Sequence, residues 1–410
     1  MVCWTNGIPT RITGREQWKL FFRGYAIGDT VYDWLKSHFF MIPLHPLMWV
    51  TMGTVAGIAG YYGNVWWLVP LAVVASCMLC AVGSGFFNVR LTVIAPLLYL
   101  VLGIFLGWWR AHGQQLSHTQ SSAALVGTVD LVGTVVDRAP AQHRVMRECI
   151  SLSHLSFRPS DGHIFCPITG AINLYVAHLP DCHIGDTIAV DGIKLKSPTD
   201  NGFGRYLMRN GVLATCFTPR LPNVRLVSRP SWSVWRAVWN KREQMLKEAQ
   251  RNMSSDTFAL YASLFLGNRA VCRKELEQMT PHFQQWGIMH YLARSGLHLV
   301  IFAAAWTFLF RFIPMPLLLR QLCLLGLAFV YALFSWLSLS FIRAFAVFVL
   351  YHLCGIFRLP FHFLYCLTLV CFCVLIWNPV QLLFLDFQLS FALTFALGWF
   401  GLLRRAEQHR

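Results

Sequence analysis

Three polar residues fall at four-residue spacing where the chain becomes apolar: His290, Arg294 and His298. In a helix that spacing puts them on one face. Arg343 stands in the middle of another apolar run, behind Ser338 and Ser340, and Asp386, Ser390 and Thr394 repeat the spacing at the head of a third. A charged side chain at bilayer depth costs about 2.5–3.5 kcal/mol on insertion scales, so it faces a bundle interior or a water-filled path. Spaced arginines and serines along such a path could replace the solvation of a passing anion. A guanidinium donates to a phosphate in bidentate geometry, while a sparse set of donors still releases it. Blander roles use the same residues. Arg294 and the two histidines could sit at the membrane surface, Arg343 or Arg294 could pair with Asp386 to fix the bundle, and the serines could serve packing alone.

Composition says what must carry these residues. Of 410 residues, 56% are hydrophobic and 13% charged. A soluble domain carries about 25% charged residues, so the fold class expected is a polytopic α-helical membrane protein with a soluble part. The net charge of +16 is spread thinly, with only +2 over residues 111–228 and +6 over 252–410. No block is basic enough to mark a nucleic-acid surface by charge alone, and the excess suits an anionic partner or anionic lipid equally. The first 36 residues are polar and mixed in charge, unlike a cleavable leader.

The expected order is a cytoplasmic segment 1–36, three membrane helices within 37–110 (near 39–61, 65–83 and 91–109), a β domain over 111–228, surface helices over 229–282, and a helical block over 283–410. Arg90 in the second connection, against the uncharged Tyr61-Tyr-Gly-Asn64, puts the N-terminus inside and residues after Trp109 outside. Alternating, β-branched runs at Val126–Val136 and Thr187–Leu195 predict strands of a small barrel or sandwich inserted outside the membrane. If that domain is exported, Cys149, Cys166, Cys182 and Cys216 allow one or two disulfides of undecided pairing. Its histidines lack a metal-binding spacing, and solvated loop positions explain them better than a site does. Residues 231–251 predict a basic, tryptophan-bearing helix on the membrane surface, and Ser254, Ser255 or Asp256 could cap the next one. Further spans are expected near 290–312, 315–335, 338–357, 361–378 and 386–403, which returns the C-terminus to the inside.

Several motifs also carry a family resemblance. Leu264-Phe-Leu-Gly267-Asn268-Arg269, then Gly287-Ile-Met-His290-Tyr-Leu-Ala-Arg294-Ser295-Gly296-Leu-His298, resembles the signature of the ComEC competence proteins. Ser338-Leu-Ser340-Phe-Ile-Arg343-Ala, Asn378-Pro379 and Asp386-Phe-Gln388-Leu-Ser390-Phe are similar to later motifs of that family, in the same order. Gly185-Asp186 to Gly192, with Ser197 to Leu207 and Gly211 to Thr215, resembles its extracellular OB-like domain. Asn268 stands where the family usually has an acidic residue, and Arg294 where it has an apolar one.

The resemblance implies an inner-membrane, multi-pass channel that passes single-stranded DNA into a bacterial cytoplasm during transformation. Its path would be lined by His290, Arg294, Ser295, Gly296, His298, Ser338, Ser340, Arg343, Asp386, Gln388 and Ser390, with Gly267, Asn268 and Arg269 as a loop motif. It implies single-stranded DNA, membrane lipids, an extracytoplasmic DNA receptor, and a cytoplasmic DNA motor or single-strand-binding protein as partners. The short membrane block adds the expectation of a homodimer. Neither cofactor nor metal is expected, and no nuclease activity, since no His-x-His-x-Asp-His motif occurs. A transporter or flippase for an anionic lipid or other polyanion would use the same arginines. An intramembrane enzyme built on His290, His298 and Asp386 lacks a nucleophile–base arrangement.

Overall fold

The structure, a computed structural model, describes residues 2–5, 8–11, 46–63, 91–125, 127–140, 148–159, 165–177, 182–199, 201–219, 223–230, 233–266, 273–286, 296–335 and 338–408. Gly267, Asn268, Arg269, His290, Arg294, Ser295 and the span expected at 65–83 lie outside the described residues. The chain divides into two units, Met1–Leu106 and Gly107–Arg410.

In the first unit, β1 (Val2–Thr5) pairs antiparallel with β2 (Ile8–Arg11). Helix α1 (Pro46–Gly63) packs closely on the first turns of α2 (Leu91–Ala124). A methyl group at Gly53 would stand 2.2 Å from the Leu100 carbonyl oxygen, and one at Gly103 would stand 2.1 Å from that of Val50. Only glycine permits this backbone approach, the small-residue device of apolar helix pairs. The break expected after Trp109 does not occur. Helix α2 runs on through polar sequence to Ala124, and within that part Ser117 and Ser122 donate to their own i−3 carbonyls. There His118 is buried, with Nε2 2.9 Å from the Val212 carbonyl oxygen.

Seven strands follow α2: β3 (Gly127–Pro140), β4 (Glu148–Pro159), β5 (Cys166–Ile168), β6 (Ala171–Val176), β7 (Thr187–Leu195), β8 (Val212–Thr218) and β9 (Val224–Ser228). Their order is β8-β6-β4-β3-β7-β9, with β5 beside β4. All pairs are antiparallel except β6 with β8, where helix α3 (Gly202–Arg209) supplies the return needed for a parallel neighbour. An isolated bridge, Lys196–Thr215, joins the end of β7 to β8 through two 2.9 Å backbone hydrogen bonds. Alternate residues point inward, and Leu131, Ile150, Leu152, Ile172, Leu174 and Val190 are completely buried. Cys182 and Cys216 join that core and Cys149 lies opposite Tyr175. All four cysteines of the domain are free thiols, so neither of the disulfides that the sequence allows is formed here. Cys182 and Cys216 fill space in the core as small apolar groups, whereas Cys166 is exposed.

Asp186, at the turn before β7, ties the sheet to helix α4 (Val234–Asn252). Its carboxylate is wholly buried. It accepts from the His183 amide at 2.9 Å, from Arg229 at 3.1 Å, and from Arg236 in the first turn of α4. Arg236 also donates to the Ile184 and Pro230 carbonyls. Farther along α4, Trp239 packs on the sheet core and Arg242 donates to Leu333 and Ser335 carbonyls. The helix expected on the membrane surface thus keeps Trp235 exposed but spends Trp239 and Arg242 as a strut between sheet and helices.

Ser254 caps α5 (Ser255–Tyr261), which passes through a π turn at Ala262–Leu266, and α6 (Arg273–Gln285) packs beside it. The helical block comprises α7 (Gly296–Leu309), α8 (Leu317–Phe334), α9 (Leu339–Ile356), α10 (Phe363–Trp377) and α11 (Leu385–Gln408), with a 3-10 turn at Pro379–Leu383. Among the described residues α8 and α9 are long and apolar enough to cross a membrane, and α7 and α10 contain shorter apolar runs.

Asp186→Ala should leave two guanidinium groups facing a void and lower stability by about 3 kcal/mol, the scale for one partner lost from a buried pair. Burial alone would raise the Asp186 pKa, but the His183 amide, Arg229 and Arg236 together hold it below the usual carboxylate range. A depressed folded-state pKa contributes stability that is complete above the unfolded value of about 4 and lost as pH falls through the folded one. Unfolding followed by circular dichroism should therefore separate wild type from Asp186→Ala strongly at neutral pH and progressively less below about pH 4.

Candidate functional site

The ends of the helices that approach the sheet bring most of the described candidate residues together. Arg209, at the end of α3, reaches Asp386 at the start of α11, and Arg242 reaches the C-terminal end of α8. Asn378, just past α10, donates to the Arg209 carbonyl at 2.7 Å. Arg110 of α2 donates to the terminal α10 carbonyls of Ile376 (2.7 Å) and Trp377 (3.3 Å). A cation at unsatisfied C-terminal carbonyls also meets the negative end of the helix dipole. The starts of α9 and α11 and the ends of α8 and α10 thus share the sheet side, so α8 to α11 alternate in direction. At the head of α7, Gly296 lies so near α9 that a methyl group would meet the Ala344 Cβ at 2.7 Å.

Arg343 sits at the centre of this group, although not in mid-helix as its apolar surroundings imply. Ser338 Oγ accepts from the Phe341 amide at 3.2 Å and starts α9 at Leu339, so Arg343 lies about one turn in, roughly 6 Å from the helix start. Its guanidinium donates to the Ser390 carbonyl and the Thr394 hydroxyl on α11, lies 3.5 Å from Ser340 Oγ, and stands over the Phe391 ring at 5.7 Å. Thr394 in turn donates to the Ser390 carbonyl at 2.7 Å, and the Ser390 hydroxyl is buried without a partner among the described residues. All these acceptors are neutral.

Asp386 is not the counter-ion of Arg343. Its carboxylate accepts from Arg209 at 2.7 and 3.2 Å and from the Phe387 amide at 3.0 Å. Arg209 also lies 4.4 Å over the Phe384 ring. Gln388 is exposed and donates to the Leu382 carbonyl at 2.8 Å. His298 lies half-buried in the first turn of α7. Among the described residues no three His, Cys, Asp or Glu side chains gather as a metal site.

The sequence marks neither Arg209 nor Arg110 as part of this site. Arg209 sits in an ordinary polar stretch and Arg110 directly behind an apolar run, and the pairing of Arg209 with Asp386 spans 177 residues. The fold also gathers aromatics that are scattered in the sequence. Tyr175 stacks on Phe217 at 4.6 Å and 5°, and Phe203 and Tyr206 on α3 stand 6.4 Å apart at 20°. Phe203, Tyr206 and Phe217 are exposed, while burial pushes the Tyr175 phenol up to about 12 and keeps it neutral.

Residues 264–409 match the family model described as Competence protein, roughly the last third of the chain and the part that holds Arg343, Asp386 and Ser390. No curated protein and no solved structure matches the chain.

A double-mutant cycle on the purified chain tests the pairing. Arg209→Ala with Asp386→Ala should show a coupling of about 1 kcal/mol, modest because the carboxylate is half exposed. Arg343→Ala with Asp386→Ala should be additive.

Proposed function

Because residues 264–409 match the Competence protein family model, we propose that the chain conducts single-stranded DNA across a bacterial inner membrane during transformation. The observation that carries this reading is Arg343, a half-buried guanidinium whose bonds go to neutral acceptors while the neighbouring carboxylate is held by Arg209. A cation so placed retains attraction for an anion. Ser340, Ser390 and Thr394 add hydroxyls, and Gly296 lets α7 pack closely on α9 beside them. His290, Arg294, Ser295, Gln388 and the loop Gly267-Asn268-Arg269 belong to the same proposed path on the resemblance of their motifs.

On this reading, five crossings by α7 to α11 start outside and end inside, so the sheet domain faces the DNA source. The strand order, its single parallel pair and the Lys196–Thr215 bridge support a partly open, five-stranded OB-like barrel, with β5 and β9 as additions. Tyr175, Phe203, Tyr206 and Phe217 would offer rings on which bases stack, while the backbone tracks toward Arg343. A receptor outside and a motor or single-strand-binding protein inside complete the path. No catalysis is assigned to the chain.

The test follows labelled DNA into the cytoplasm of cells lacking this gene and complemented with variants. Arg343→Ala should lower uptake about tenfold, equivalent to some 1.4 kcal/mol on the limiting barrier, with membrane insertion and surface DNA binding unchanged. Arg343→Lys should recover part of it by keeping the charge without the planar fork. Unchanged uptake in the null strain would leave a transporter for another polyanion or lipid as the better reading.

A further inference from the structure

A cavity of about 1160 Å³ opens between the sheet, α4, and the ends of α8 and α9 nearest the sheet. It exceeds the roughly 300–1,000 Å³ of pockets for drug-sized ligands. Its lining is segregated. Below Ser335, every contribution from α8 and α9 is apolar, among them Phe329, Ala332, Ile342 and Phe345. Phe329 lies six residues before Ser335, so the apolar wall runs roughly 9 Å along the two helices long and apolar enough to cross a membrane. Phe329 and Ile342 line the cavity and remain exposed, so the apolar wall is accessible rather than packed against protein.

The charged lining residues lie at the opposite end. Asp137 comes from β3 and Arg242 from α4, and the two carry opposite charge. Burial pushes the Asp137 carboxyl up and the Arg242 guanidinium down, and each partly offsets the other's shift. The exposed indole of Trp235 adds the amphipathic ring usual at a membrane–water boundary. An occupant must therefore be amphiphilic, with a long apolar body and a head that offers a cation to Asp137 and an anion to Arg242.

We propose that this cavity is a binding site for a zwitterionic phospholipid of the phosphatidylethanolamine type, its acyl chain along α8 and α9 and its phosphate and ammonium at Arg242 and Asp137. The site rests on the membrane placement of α8 and α9 but not on DNA as the substrate. A bound lipid there would wedge the sheet against the helices, filling a seam that α4 alone leaves open.

The full chain would be placed in vesicles of phosphatidylethanolamine and phosphatidylglycerol, with a trace of either lipid carrying a photoactivatable acyl chain. Labelled peptides would then be mapped. The ethanolamine probe should label the peptide holding Ile342 and Phe345 well above the outward α8 face at Leu318 and Leu322, and the glycerol probe should not. Asp137→Asn should abolish that preference, and Ala332→Trp should abolish the cavity labelling, with Leu322 labelling unchanged in both. Should either variant fail to fold, the comparison of the two probes on the wild-type chain decides alone. Equal labelling by both probes, or cavity labelling no stronger than at Leu322, would overturn the site. Absence of label at Leu318 and Leu322 would overturn the membrane placement and the lipid site with it, leaving the DNA reading to its own uptake assay.

Discussion

Arg209 reaches from the last turn of α3 to the first turn of α11, where its guanidinium forks onto Asp386 and lies over Phe384. A half-exposed ion pair contributes little by itself, about 1 kcal/mol or less. Its effect comes from what surrounds it. The Arg209 carbonyl accepts from Asn378, whose own side-chain oxygen accepts from Gln114 of α2 at 3.3 Å. Three separated parts of the chain thereby meet at one corner of the helical block. Asp386 is also withdrawn from Arg343, so the charge left over inside the block is positive. Had Asp386 turned to Arg343, both the docking of the sheet and the unneutralised cation would be lost together.

The same logic governs the other arginines along this seam. Arg110 and Arg242 donate to the terminal carbonyls of α10 and α8, and Arg236 and Arg229 surround Asp186. These cations complete helix ends or neutralise a buried carboxylate. Part of the +16 net charge is thus structural, and its size is a poor guide to where an anionic partner binds. Position decides. Of the arginines described at this seam, Arg343 is the one that bonds the interior of a neighbouring apolar helix rather than its terminal carbonyls.

Much of the fold is legible in the sequence, for local reasons. The alternation of Thr187–Leu195 gives β7 to the residue, and Pro316, Ser338 and Asn378 bound helices that begin or end within two residues of the apolar runs. What stays hidden is non-local. A change in composition after Trp109 suggests a domain boundary, yet α2 continues because its polar face, including His118, is buried against the sheet domain. The amphipathic pattern of α4 suggests a membrane surface, whereas Trp239 and Arg242 turn to protein instead. Likewise the spacing of Asp386, Ser390 and Thr394 reveals a polar stripe, but not that Arg343 bonds the lower part while Arg209 holds the top. The partner of a charge depends on packing between segments far apart in sequence, and periodicity carries no record of it.

Retention of Arg343 in this environment needs a physical reason, because an apolar residue would fill the space at lower desolvation cost. Helix fixing alone is a weak reason. The Thr394 hydroxyl already donates to the Ser390 carbonyl within α11, so an apolar residue in place of the guanidinium would not strand those two atoms. A tightly paired arginine would be equally unsuited to transport, since a passing phosphate would have to displace a carboxylate. Neutral acceptors lie between these extremes. They hold the guanidinium in place and spread some of its charge, and on the proposed reading they would be exchanged for a phosphate and regained when it leaves. On the proposed reading conduction demands that balance of attraction and release, and Arg343 meets it within the helical block, whereas Arg110 and Arg242 hold the terminal carbonyls of helices.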